Sequence, residues 1–184
     1  MRNKHFIGFG LGILTLSLTW ILLTPVFFPP AQAEDSVTAP HPGFQAPDFT
    51  LSTPEGTAVT LSDYQGQPVL VFLWASWCSV CKATMPGLQE VYSAYHPRGF
   101  EILAVNTTNQ DSLQVAMDYF QTQRYTYPFL IDGDGAVSQA YQLHALPTAV
   151  LVGPDGIVAK VIIGSGLSKG YLQAQLDNLF SDQD

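Results

Sequence analysis

Apolar residues along this chain occur in two patterns, short unbroken runs and helical repeats. Residues 69–74 form an unbroken apolar run, which is typical of a strand buried on both faces of a sheet. Beyond it, apolar positions recur at intervals of three and four and predict a helix that opens at Cys78 and buries Leu88, Val91, Tyr92 and Tyr95. Pro86 lies inside this helix and is expected to kink it.

The rest of the chain continues to alternate between strands and helices. Strands are predicted at residues 49–51, 58–60, 100–105, 129–131, 148–152 and 157–163, and helical segments at 111–123, 136–141 and 168–180. Parallel strands joined by helices and closed by a hairpin indicate a three-layer α/β sandwich of thioredoxin type. Ser168 is the expected N-cap of the last helix.

The amino-terminal segment differs in composition from the rest. Arg2 and Lys4 give it a positive start, residues 6–28 are apolar and uncharged, and residues 31–33 match a signal-peptidase site. The apolar run is also long enough to span a bilayer, so residues 1–33 are either a signal peptide or an N-terminal membrane anchor. Both alternatives place the domain outside the cytoplasm, in the periplasm or a lumen. Residues 34–45 are predicted to form a tether, and residues 46–182 the folded domain.

The balance of charge narrows the possible partners. The net charge is −8, and two of the seven Lys and Arg residues, Arg2 and Lys4, lie within the predicted leader. The remaining chain is strongly acidic and has no basic stripe that could neutralise phosphates. Nucleic acid is therefore not an expected partner.

The two cysteines, Cys78 and Cys81, are the main candidates for chemistry. A single closely spaced pair adds little to fold stability, because the loop that it closes is short. At the start of a helix, however, two thiols three residues apart lie on one face within bridging distance, and the helix end favours a thiolate. Cys78 is thus predicted to attack a disulfide, and Cys81, one turn further in, to resolve the mixed disulfide.

Zinc binding is the competing use of such a pair. Zinc takes four protein ligands, or three and a water, and the sequence contains no second Cys-x-x-Cys and no His-x-x-His. The histidines outside the predicted leader, His41, His96 and His144, are far apart in the sequence. Neither a metal nor a cofactor is therefore expected.

Several motifs resemble one known family. Residues 72–82, which hold Trp77 and the cysteine pair, are similar to the active-site strand and helix of the thioredoxin superfamily. Within that superfamily, the chain is similar to the TlpA/ResA-like branch, which has a redoxin or AhpC-TSA-like domain. The motifs that carry this similarity are residues 46–49, residues 61–66, Pro86, the long segment between residues 105 and 131, and Leu146-Pro147-Thr148. It implies a thioredoxin-like three-layer α/β/α sandwich with an N-terminal β-hairpin extension and a central insertion.

The same resemblance implies a function and a substrate site. It indicates an exported protein-disulfide reductase that acts on disulfide-containing proteins, such as apocytochrome c before haem attachment, and takes electrons from a membrane thiol donor. It also implies a cis peptide bond between Leu146 and Pro147, with Trp77, Leu146, Pro147 and Thr148 at the substrate site. An uncleaved leader would anchor this domain to the inner membrane through residues 6–28.

The chain departs from the family at the carboxylate that assists the inner cysteine. Relatives place this group on the central strand, where this chain has Phe72, or three residues after the second cysteine, where it has Thr84. Water and Glu90 are the candidates to replace it as the base.

Two other functions stay open at this point. A peroxiredoxin-like thiol peroxidase shares the fold, but it needs a threonine three residues before its cysteine, where this chain has Ala75. A copper chaperone would use Cys78, Cys81 and His144, although the related copper carriers space their cysteines differently.

Overall fold

The centre of the molecule is a seven-stranded mixed sheet. The computed structural model describes residues 38–181, so the predicted leader and the start of the predicted tether lie outside the described residues. The strands are β1 Thr50–Ser52, β2 Ala58–Thr60, β3 Val69–Trp74, β4 Glu101–Asn106, β5 Phe129–Ile131, β6 Thr148–Val152 and β7 Val158–Ile163. They lie side by side in the order β2-β1-β5-β4-β3-β6-β7.

Strands β3 and β4 form the middle of the sheet, and every residue in them is buried. β3 runs parallel to β4 and antiparallel to β6. Alternate side chains of β3 point to opposite faces and enter two separate cores, Leu70, Phe72 and Trp74 in one and Val69, Val71 and Leu73 in the other. The central strand predicted from the unbroken apolar run is confirmed at both bounds.

Helices cover both faces of this sheet. They are α1 Ser79–Tyr95, α2 Leu113–Thr122, α3 Ala136–Ala140 and α4 Lys169–Ser181. Buried residues of α1, α2 and α4 belong to the core that contains Trp74, whereas Val137 of α3 belongs to the other core. This arrangement confirms the three-layer thioredoxin-like sandwich. Within residues 38–181, none of the helices is long and apolar enough to cross a membrane.

The helix ends show how the sequence sets these elements. The helix α1 runs through Pro86 to Tyr95 without interruption. The predicted N-cap of α4 is confirmed, because the Oγ of Ser168 accepts the N–H of Tyr171 at 3.2 Å. The helix α2 begins at Leu113 instead of residue 111, with Ser112 in the extended N-cap conformation. Asp111 lies outside the helix and is free to bind a neighbouring loop.

Part of the predicted tether is docked onto the sheet. The N–H of Gly43 donates to the carbonyl of Val158 at 2.9 Å, and the N–H of Val158 donates to the carbonyl of Phe44 at 2.9 Å. The strand β7 is the last of the sheet, and the main-chain groups of an edge strand favour such partners. Residues 43 and 44, near the end of the predicted tether, are therefore hydrogen-bonded to this edge strand.

Candidate active site

The cysteine pair lies where β3 passes into α1. Cys78 is the N-cap residue of α1, and Cys81 lies in its first turn. The two form a disulfide with their Cα atoms 5.2 Å apart. The Sγ of Cys78 also accepts the N–H of Cys81 at 3.0 Å. Cys78 is 6% exposed and Cys81 is 0% exposed, so the predicted shielding of the inner cysteine is confirmed.

This position suits a reversible two-electron couple. The amino end of a helix carries unpaired N–H groups and the positive end of the helix dipole. Both favour a negatively charged sulfur at Cys78 once the disulfide is reduced. The first turn of α1 holds no acidic side chain that would oppose this charge. The site can therefore hold a thiolate at its outer end and a shielded thiol beneath it.

Leu146 and Pro147 lie at the same end of the sheet as the cysteines. Their peptide bond is cis, as the family resemblance implies. The strand β6 begins with Thr148, which pairs with Leu73 of β3, so the cis bond is level with the carboxyl end of β3. The carbonyl of Pro147 accepts the N–H of Gly164 at 2.8 Å. This bond ties the turn that contains the cis bond to the end of β7.

Two tryptophans flank the cysteines in different environments. Trp74 ends β3 and is fully buried, whereas Trp77 is 59% exposed. The indole N–H of Trp77 donates to the carbonyl of Gln110 at 3.0 Å, so the exposed ring is held in one orientation. Val80, between the cysteines, is also exposed. Trp77 and Val80 therefore form an apolar surface around Cys78.

A carboxylate with no local sequence signal holds the loop in front of the cysteines. Asp111 accepts hydrogen bonds from the Ser76 N–H at 2.5 Å, the Ser76 Oγ at 2.6 Å, the Asn106 Nδ2 at 2.9 Å and the Ser112 N–H at 2.8 Å. Burial acts to raise the pKa of Asp111, but the hydrogen bonds from Asn106, Ser76 and Ser112 outweigh it and hold the pKa below its usual value. This carboxylate is thus kept charged beside the redox loop.

Comparison with known proteins agrees with this geometry. Residues 42–161 match the model of the AhpC/TSA family. The thiol-disulfide oxidoreductase ResA of Geobacillus thermodenitrificans is 37% identical over 142 residues, which cover 77% of this chain and 80% of that relative. The chain belongs to the AhpC/TSA family, in its ResA-like group. It is accordingly a thiol-disulfide oxidoreductase with a dithiol formed by Cys78 and Cys81.

Two solved structures share the fold of this ResA-like chain. A putative thiol:disulfide interchange protein DsbE from Chlorobium tepidum is 28% identical with a TM-score of 0.69, over 76% of this chain and 97% of that one. The exposed lipoprotein thioredoxin of Streptococcus pneumoniae is 26% identical with a TM-score of 0.63, over 72% of this chain and 99% of that one.

The ResA-like domain has no carboxylate at either position that the resemblance associates with the inner cysteine. Phe72 is fully buried in the core, and the Oγ1 of Thr84 donates to the carbonyl of Val80 at 2.9 Å. Glu90 does not replace it, because it lies nine positions after Cys81 on α1, about 13 Å along the helix axis. Its side chain instead pairs with Lys169 of α4. Of the two candidates for the base, water therefore remains.

The residues behind the two alternative functions are also placed. Within residues 38–181, no three His, Cys, Asp or Glu side chains are grouped to hold a metal ion, and His144 is exposed. Ala75 is fully buried, and its carbonyl accepts the N–H of Cys78 at 3.1 Å. A methyl group thus occupies the position where a peroxidase of this fold carries a hydroxyl.

Proposed function

We propose that this chain reduces disulfides in exported proteins, with Cys78 as the nucleophile and Cys81 as the resolving cysteine. The observation that carries the proposal is the difference between the two sulfurs. Cys78 caps α1 and keeps 6% of its surface exposed, whereas Cys81, in the first turn of the helix, is 0% exposed. A substrate disulfide can approach the first sulfur but not the second, so the initial attack falls to Cys78.

The reaction then proceeds in two exchanges. The thiolate of Cys78 attacks one sulfur of the substrate disulfide, the substrate bond breaks, and the released sulfur takes up a proton. The thiol of Cys81 gives up its proton and attacks the Sγ of Cys78, which breaks the mixed disulfide and forms the Cys78–Cys81 bond; the second substrate sulfur leaves and takes up that proton. The substrate gains two electrons and two protons, and this chain is left oxidised.

The proposed substrate site consists of Trp77, Leu146, Pro147 and Thr148. Its support is that Thr148 pairs with Leu73 near the carboxyl end of β3, directly after the cis bond, and that the exposed Trp77 directly precedes Cys78. An extended substrate segment can pair with the backbone beside a cis proline while its apolar side chains contact the indole ring. Such pairing would present the substrate disulfide to Cys78.

Export and an electron supply complete the proposal. The predicted leader supports a location in the periplasm or a lumen, either secreted or anchored through residues 6–28. A similar structure is described as an exposed lipoprotein. Each turnover leaves a disulfide in this chain, so a membrane thiol donor must reduce it again. We include apocytochrome c among the substrates on the basis of the family resemblance.

The test is insulin reduction driven by dithiothreitol, compared among the wild type, Cys78→Ser and Cys81→Ser. We expect Cys78→Ser to lose activity by at least about a hundredfold, because the attacking sulfur is gone. We expect Cys81→Ser to accumulate a mixed disulfide with insulin, detectable by mass spectrometry. Ser79→Ala is the matched control, since it lies between the cysteines without a sulfur. Full activity without Cys78 would refute the proposed role.

The same samples test the alternative functions. Peroxide consumption at rates comparable to insulin reduction would favour a thiol peroxidase, despite Ala75 at the expected threonine position. Stoichiometric Cu(I) binding that depends on His144 would favour the copper chaperone. A measured redox potential above that of the exporting compartment would reverse the proposed direction of electron flow.

A further inference from the structure

The loop between β3 and α1 is bonded to the segment that leaves β4. The two strands are parallel, and Trp74 pairs with Asn106 at their carboxyl ends. The two chain segments therefore leave the sheet side by side. The N–H of Thr107 donates to the carbonyl of Trp74 at 3.0 Å, which joins the segments at their first residues.

Beyond the ends of the strands, Asp111 makes the main connection between the two segments. Its Oδ1 accepts the Ser76 hydroxyl and the Ser112 N–H, while its Oδ2 accepts the Ser76 N–H and the Asn106 amide. One carboxylate thus joins the redox loop at Ser76, the end of β4 at Asn106 and the N-cap of α2 at Ser112. Only a carboxylate offers enough acceptor sites for four such donors.

We propose that Asp111 is a positioning residue for thiol-disulfide exchange: it holds the loop so that the Sγ of Cys78 stays over the amino end of α1. This inference rests on the proposed role of Cys78 as the nucleophile. The loop is a tight turn, in which the N–H of Cys78 donates to the carbonyl of Ala75 at 3.1 Å. Ser76 lies inside this turn, so fixing Ser76 fixes the approach of Cys78 to the helix.

Positioning and direct charge have opposite effects on the sulfur. The negative charge of Asp111 by itself disfavours a second negative charge on Cys78. The hydrogen bonds of Asp111 favour that charge indirectly, because they keep Cys78 where the N–H of Cys81 and the positive end of the helix dipole face its sulfur. Removing the carboxylate therefore distinguishes the two roles by the sign of the change in Cys78 reactivity.

The experiment measures the alkylation rate of Cys78 by iodoacetamide across pH in the full chain carrying Cys81→Ser, which leaves a single thiol. In this background we expect Asp111→Asn to move the midpoint of the rate profile upward by about half to one pH unit. The rate at pH 7 should fall roughly three- to tenfold. Asp118→Asn is the control, since it removes an equal charge from α2 at a residue that, among the described residues 38–181, accepts only the side-chain amide of Gln114.

The direction in which the midpoint of the alkylation profile moves distinguishes a positioning role of Asp111 from an electrostatic or a structural one. A downward shift of the midpoint would assign Asp111 a purely electrostatic effect and overturn the proposal. An unchanged midpoint with a lower melting temperature would assign it a purely structural role and overturn it as well. Ser76→Ala removes one of the four bonds and should shift the midpoint in the same direction by less, which keeps the test decisive if Asp111→Asn does not fold. Alkylation needs no disulfide substrate, so failure of the proposed reductase function would appear separately in the insulin assay.

Discussion

The two ends of β4 each have a carboxylate nearby, and these carboxylates are held in different ways. Asp111, beyond the carboxyl end, is partly buried and accepts four hydrogen bonds. Glu101, at the amino end, is only 6% exposed and accepts the N–H of Ile102 at 2.9 Å. Burial raises the pKa of Glu101 above its usual value, although Ile102, Tyr92 and His96 act in the opposite direction. The pKa of Asp111 moves the other way.

For these two carboxylates the number of donors, and not depth alone, decides the direction in which the pKa moves. Four donors compensate Asp111 for the water that it loses, whereas Glu101 lies deeper and is less fully compensated. The well-compensated carboxylate is the one beside the cysteines. The charged carboxylate of Asp111 and the loop that it holds therefore lie beside the cysteines, where the proposed disulfide exchange needs a constant position of Cys78.

The largest expected change in stability comes from removing the carboxylate of Asp111, which accepts more hydrogen bonds than that of Glu101. Asp111→Ala should lower the free energy of unfolding by about 2–3 kcal/mol, because the donors of Ser76 and Asn106 lose their partner in a partly buried site. Urea unfolding of the oxidised protein at pH 7 measures this loss. Asp118→Ala, on the surface of α2, should change the same quantity by less than about 0.5 kcal/mol. An equal loss of unfolding free energy in the two variants would contradict the special role of the hydrogen bonds of Asp111.

An intermediate effect of opposite sign is expected at the other end of the strand. Glu101→Gln should raise the free energy of unfolding by about 1 kcal/mol at pH 7, because it removes a buried charge and keeps an acceptor for Ile102. Since the folded pKa of Glu101 is raised, its contribution to stability is fully present below the usual pKa of 4.5 and is lost as pH rises through the folded pKa.

Urea unfolding of Glu101→Gln and wild type over a pH series from 4 to 7 checks this sign. The gain from the substitution should shrink toward pH 4. Asp111 behaves inversely: its folded pKa is lowered, so its contribution is present above the usual pKa of 3.8 and is lost as pH falls through the folded pKa. A Glu101→Gln variant that is less stable than wild type at pH 7, and equal to it at pH 4, would contradict the raised pKa.

The smallest effect is expected where a carboxylate faces water. Glu90 pairs with Lys169, and both side chains are about half exposed. Lys169→Ala should change the free energy of unfolding by less than about 0.5 kcal/mol, because water and salt screen an exposed ion pair. Urea unfolding at low and high salt measures it. A loss as large as that of Asp111→Ala would mean that exposure does not separate these carboxylates.

The sequence carried most of the fold in local patterns. The unbroken apolar run predicted β3 at its observed bounds, and the strands predicted at residues 148–152 and 157–163 correspond to the β6–β7 hairpin. The predicted start of α2 was less exact, because the local sequence around Asp111 is the same whether its side chain caps a helix or binds a distant loop. The cis bond at Pro147 came from the family resemblance and is confirmed in the structure.

The candidate site divides in the same way. Cys78 and Cys81 are three residues apart, so the local sequence is enough to predict that they share one helix turn. The bond between Ser76 and Asp111 spans 35 residues and exists only because β3 and β4 pair in parallel. Periodicity and motif spacing carry no information about such a pair. Glu90 illustrates the converse, since its chemistry made it a candidate base and its distance along α1 excluded it.

Local patterns are sufficient to predict a thiol pair at the amino end of a helix behind a buried strand, because spacing, helix periodicity and apolar runs are properties of neighbouring residues. The contacts around that pair depend on tertiary structure, which brings Asp111 to Ser76 and the cis bond before Pro147 level with the carboxyl end of β3. The same is true of the hydrogen bonds between residues 43–44 and Val158 of β7. These contacts join segments far apart in the chain, and they form only once the sheet has set which strand ends lie together.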